Sequence, residues 1–172
     1  GYAKQPAEKW LRPHGFDLMF DEAARSRQVI SCLIDPSCFA EVDRMASLHP
    51  ETPVIIDHFG RIGVDGQIRM EQVNTLCNLA KHKHMYVKIG AYYALGAKKP
   101  PYTDLIPMIR ELLKAYGSER LMWESDCPFQ VVDHSYRDSI SLVNERMDFL
   151  TDQQRSDILR NTAEKLLFKQ PA

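Results

Sequence analysis

The apolar run Leu121-Met122-Trp123 ends in an acidic pair around a serine, Glu124-Ser125-Asp126, and Pro128 stops it. A carboxylate placed there can take a proton from water or ligate a metal. It can equally cap a following helix or sit in a buried ion pair. His58 follows Val54-Ile55-Ile56-Asp57 and precedes Phe59-Gly60-Arg61. Its neutral imidazole can polarise a carbonyl or bind a metal, or be satisfied by a neighbouring loop. Lys88 lies within Tyr86-Val87-Lys88-Ile89-Gly90. A lysine in an apolar strand needs an anion or a carboxylate beside it, from substrate or from the protein. Arg61 has the geometry to hold a substrate carboxylate, or stands in an exposed loop. Asp57 alternates to the face opposite His58, as a supporting partner or a helix cap, whereas Glu124 shares the parity of Asp126.

These side chains need scaffolds. Four short apolar runs recur, Val29–Ile34, Pro53–Ile56, Met85–Ile89 and Leu121–Trp123. Each is bounded by turn residues, as in parallel strands buried on both faces. Between them Phe39, Val42, Met45 and Ala46, then Met70, Val73, Leu76 and Cys77, then Leu105, Met108, Ile109 and Leu112, recur at helical spacing. Ser37 is a candidate N-cap, Thr103-Asp104 opens the third helix and Gly117 ends it. Two helices follow the last strand. The second opens with Thr151 and Gln154 in capping-box spacing and closes on Ile158, Leu159, Leu166, Leu167 and Phe168. The order is helix, then four strand–helix units, with an extra terminal helix. Four parallel strands leave two open edges, as half of an eight-stranded barrel would. Strand tips are where such folds place their chemistry. The loop from Gly90 to Pro101, which carries Tyr92 and Tyr93, follows one of them and is expected to shape the substrate site.

The bulk properties remove several classes. A length of 172 residues suits a single domain over 1–172, and 44% hydrophobic with 26% charged residues is ordinary for a globular protein. A net charge of −1 without a basic stripe argues against nucleic acid. No apolar run reaches the ~20 residues of a membrane span. Cys32, Cys38, Cys77 and Cys127 form no CxxC pair or zinc framework and point to reduced thiols in the cytoplasm. His82 and His84 read as His-x-His, but they precede a strand, at the end of a barrel opposite the chemistry. His134, after Asp126, is within reach of the site or simply solvated. The amino terminus has no secretory pattern and no initiator Met, which points to a fragment or a processed product.

Taken in order, 53–60, 86–90, 117–128 and the closing Asn161–Phe168 resemble the amidohydrolase-related, metal-dependent hydrolases, a family of (β/α)8 TIM barrels. The resemblance runs from about Pro36 to Phe168. It implies the C-terminal half of such a barrel, strands five to eight, with strands one to four upstream. It makes His58 the histidine that contacts the substrate carbonyl or water. It makes Asp126 the general base or a ligand of a divalent metal, zinc or manganese. Two departures stand out. The first strand tip, Ile30–Pro36, has no histidine where many members bind metal, which is similar to the lactonase-like branch, where the site works without a metal cofactor. Glu124 stands where glycine is common, crowding the site or altering its charge.

The expected function is therefore hydrolysis of a lactone or similar cyclic ester. Asp126 activates water, His58 polarises the carbonyl, and Arg61, Lys88 and Tyr92 bind an anionic or polyhydroxylated small molecule. The alternatives are a metal-dependent non-oxidative decarboxylase, and a catalytically incomplete half-barrel that self-associates through its open sheet edges.

Overall fold

The computed structural model describes residues 6–168. Residues 1–5, on which the reading of the amino terminus rests, and 169–172 lie outside it. Helix α1 (His14–Ser26) leads into strand β1 (Ile30–Cys32), followed by α2 (Phe39–Leu48), β2 (Val54–Ile56), α3 (Met70–Asn78), β3 (Met85–Ile89), α4 (Ile106–Tyr116) and β4 (Leu121–Trp123). After β4 come α5 (Gln130–Asp133), α6 (Tyr136–Ser141) and α7 (Asp152–Ser156). Turns of π-helix extend α6 to Arg146, and turns of π-helix over Asp157–Asn161 and Glu164–Phe168 carry the last helix on from α7. The strands form one sheet in the order β1-β2-β3-β4, and every pairing is parallel. Each crossover carries a helix, as parallel neighbours require. The expected alternation is what the chain adopts.

Register explains which side chains meet. Cys32, Val54, Ile56, Val87, Ile89 and Leu121 all belong to the main hydrophobic core, together with Val42, Leu76 and Leu112 from the helices. The opposite face carries Ser31, Ile55, Tyr86, Lys88 and Met122. Burial along β3 alternates strictly, with Tyr86 and Lys88 only half-buried. The expectation of strands buried on both faces therefore fails at β3 and at the exposed Ser31. Helices cover one face; the other is the face a barrel turns inward, where polar side chains can cluster. Asp57 and Glu124, each two residues beyond Ile55 and Met122, continue that face.

The helix ends follow local chemistry unevenly. Gly117, at φ 70°, ends α4. Thr151 and Gln154 form the expected reciprocal capping box of α7. Ser135 and Asp138 form a second box at α6, which the sequence reading missed. Ser37 caps nothing: it lies inside a short 3-10 turn, Pro36–Cys38, that runs into α2. The last helix buries Ile158 and Thr162, but Leu167 and Phe168 are exposed rather than part of a closing face. No described helix is long and apolar enough to cross a membrane.

Candidate active site

A line of polar contacts runs across the C-terminal ends of all four strands. Ser31 Oγ, on β1, donates to Asp57 at 2.9 and 3.0 Å from its two carboxylate oxygens. Asp57, after β2, lies 2.8 Å from Lys88 Nζ on β3. Lys88 also faces Glu124 Oε2, just past β4, at 3.6 Å. Glu124 Oε1 accepts from the His58 backbone N–H at 3.2 Å and lies 2.5 Å from His58 Nδ1. A carboxylate only accepts, so Nδ1 carries the proton and Nε2 is the nitrogen left for chemistry. Nε2 points toward Asp126, 3.8 Å from Oδ1. Tyr93 donates its hydroxyl to the other Asp126 oxygen at 2.7 Å. The structure thus brings His58 and Asp126 together from positions 68 residues apart in sequence.

Both residues sit on strained turns. His58, Phe59, Gly60 and Arg61 all have φ between 52° and 60°. Asp126 has φ 55°. L side chains rarely adopt this region outside glycine and the small polar residues, and such strain concentrates at functional sites. A pocket of about 270 Å³ opens here. It is lined by His58, Arg61, Tyr93 and Asp126 with an apolar wall that includes Leu33 and Phe129.

The electrostatics favour a charged imidazole. Burial pulls the His58 pKa down, but the Glu124 hydrogen bond and charge, then Asp126 and Asp57, outweigh it and leave it above the ordinary value. The ring is thus better suited to donate a hydrogen bond to a developing oxyanion than the neutral imidazole expected from sequence. Burial likewise pulls Lys88 down, and Asp57 with Glu124 carries it above normal, so it stays a cation. Burial, then the bond to Asp126 and its charge, pushes the Tyr93 phenol up and keeps it a donor.

Lys88 bridges two largely buried carboxylates, Asp57 and Glu124. Its side chain is 26% exposed, so the penalty for removing it falls below that of a fully buried pair. Lys88→Met is expected to cost about 1–3 kcal/mol, read as a lower urea midpoint at unchanged slope. An unchanged midpoint would show that the lysine is not what holds the two carboxylates.

The other expected site residues fall as follows. Arg61 lines the pocket; its protein partner Asp35 lies 3.4 Å away, with both side chains about half exposed, a weak pair that a ligand can displace. Lys88 is not in the lining and acts on Glu124 and Asp57 from behind. Tyr92 is fully buried against Phe59 and Tyr102, away from the pocket, and its neighbour Tyr93 takes the lining position. Two consecutive tyrosines in a short turn carry no period that says which one faces the site. Glu124 does not crowd the pocket; it turns to His58 and Lys88. His134 bonds Tyr102 through Nδ1 at 2.9 Å, and His82 is taken by Asp43 at 2.5 Å. The loop from Gly90 is tied down: the Gly96 N–H donates to Gly63 O at 2.9 Å, and Lys98 Nζ to Val64 O at 2.6 Å.

Among the described residues no group of three or more His, Cys, Asp or Glu could hold a metal ion. At the strand ends two donors converge, His58 Nε2 and Asp126, and Tyr93 already occupies one Asp126 oxygen. By itself this donor set does not fit a divalent metal, which takes three or more protein ligands in catalytic zinc sites.

Comparison with known proteins gives this geometry a family. A 4-sulfomuconolactone hydrolase from Hydrogenophaga intermedia is 30% identical over 118 residues, 66% of this chain and 38% of the relative. A second, from Rhizobium radiobacter, is 33% identical over 78 residues, 45% of this chain and 26% of the relative. An amidohydrolase from Burkholderia multivorans, solved with bound HEPES, superposes with a TM-score of 0.84 at 19% identity. The match covers 96% of this chain and 61% of that one, and the same protein has also been solved with zinc. The chain thus spans less than two thirds of the relatives it matches, as the four-stranded half of a barrel does. The amidohydrolase family model matches residues 5–169, and the chain belongs to that family.

Proposed function

We propose that the protein hydrolyses a lactone or similar cyclic ester bearing an anionic group. The observation that carries this reading is the convergence of His58 Nε2 and Asp126 Oδ1, 3.8 Å apart, beside a pocket that also presents Arg61. Likeness to the 4-sulfomuconolactone hydrolases supports the lactone as substrate class. Asp126 takes a proton from a water that attacks the acyl carbon. The His58 imidazolium donates from Nε2 to the carbonyl oxygen as it becomes an oxyanion. The intermediate collapses, the ring C–O bond breaks, and the leaving oxygen is protonated by the acid formed at Asp126. The water oxygen ends in the new carboxylate. Tyr93 fixes the Asp126 carboxylate, so that one oxygen stays turned toward His58. Phe129 and Leu33 supply an apolar wall for the ring. Four free cysteines support a cytoplasmic location.

A panel of neutral and carboxylated or sulfonated lactones tests the reading, with ring-opened acid as the product measured. Anionic lactones are expected to be preferred. Arg61→Met is expected to raise KM for them about tenfold, with kcat nearly unchanged, because a charge-assisted contact made equally in ground and transition state is lost. Equal use of neutral and anionic lactones, unaffected by Arg61→Met, would remove the anion from the proposal.

A further inference from the structure

Glu124 takes no part in the hydrolytic steps, yet it contacts His58 at two atoms and Lys88 at a third. Its Oε1 grips His58 twice, at the backbone N–H (3.2 Å) and at ring Nδ1 (2.5 Å). Its Oε2 faces Lys88, which is itself held by Asp57. The side chain is 16% exposed and lies outside the pocket lining. Space for its stem comes from Gly90, where a Cβ would lie 2.2 Å from Glu124 Cγ. His58, which it grips, begins the left-handed run that also carries Arg61.

We propose that Glu124 is a positioning residue: it holds the His58 ring by Nδ1, turns Nε2 toward Asp126 and the substrate carbonyl, and anchors the turn that presents Arg61. The effect on turnover rests on the hydrolase reading; the ring geometry does not. A carboxylate anchored by a lysine resists rotation better than a free one, and the lysine is anchored in turn by Asp57, which Ser31 holds. A ring held in place beforehand loses no freedom when substrate binds.

The test is ring-nitrogen NMR of the full-length protein with histidine ring label, comparing wild type, Glu124→Gln and Glu124→Ala. The resonance is assigned by its absence in His58→Asn. Wild type is expected to show a strongly downfield Nδ1–H proton from His58. Glu124→Gln, with a neutral acceptor of the same shape, moves it upfield, and Glu124→Ala loses it. An Nδ1–H proton that does not move in Glu124→Gln overturns the proposal, even if the alanine variant fails to fold. On a lactone, Glu124→Ala lowers kcat about 10–100-fold, and Glu124→Gln recovers most of it. An alanine variant with wild-type kcat also overturns it. If the resonance moves but wild type turns over no lactone, the positioning role stands and the hydrolase reading falls; if lactone is turned over and the resonance is unmoved, only the positioning role falls.

Discussion

Asp126→Asn is expected to lower turnover by about 10²–10⁴-fold while leaving the fold intact. Asparagine has nearly the same volume and keeps an oxygen to accept the Tyr93 hydroxyl, now 2.7 Å from the carboxylate. What it loses is the ability to take a proton from water. It also removes a negative charge near His58 Nε2, so the imidazolium is less stabilised, which compounds the loss. The measurement is kcat on the preferred lactone, with circular dichroism and thermal midpoint as controls. An asparagine variant with wild-type turnover would mean that Asp126 is not the base. The strained φ of 55° at this residue is tolerated by asparagine as well as by aspartate, so unfolding is not expected to confuse the result.

Gly90→Ala is expected to damage both stability and turnover. An added Cβ would lie 2.2 Å from Glu124 Cγ, 2.5 Å from the Glu124 carbonyl oxygen and 3.1 Å from its carbonyl carbon. A flexible side chain could move aside, but two of these atoms belong to the backbone just past β4, which pairs with β3 as far as Ile89↔Trp123. The strand ends must spread. Overpacking of this kind costs about 1–3 kcal/mol and sometimes more, and here the strain falls on the residue that holds His58. A lower urea midpoint and a loss of kcat in the molecules that remain folded are expected together. Wild-type stability would show that the β3–β4 tips open more easily than the packing indicates.

How far the sequence reveals this protein differs by scale. The four strands are legible because each is a short apolar run closed by turn residues, and β3 and β4 fall where periodicity places them. Alternation within β3 was also there to read, in Tyr86 and Lys88 between Met85, Val87 and Ile89, and it shows that one sheet face is not packed by helices. The strand-end placement of Asp126 and His58 is legible because each follows within three residues of an apolar run that forms a strand. Partners are not legible. Nothing local says that Glu124 reaches His58, 66 residues away, or that Lys88 stands behind the pocket rather than in it. The same limit explains Tyr92 and Tyr93: the left-handed turn at Ala91, φ 55°, decides which ring is buried, and a lone alanine in that conformation leaves no compositional trace. Ser37 failed as a cap for a related reason, since Pro36 starts a 3-10 turn that runs into α2 and needs no side-chain cap.

The central claim is that His58 and Asp126 direct water onto an acyl carbon, and oxygen labelling tests it most directly. Turnover of the preferred lactone in ¹⁸O-water by the full-length protein is expected to give a ring-opened acid with one labelled oxygen in its new carboxylate, and no carbon dioxide. Carbon dioxide release with no label in the organic product would contradict the account and place the chemistry with the decarboxylases.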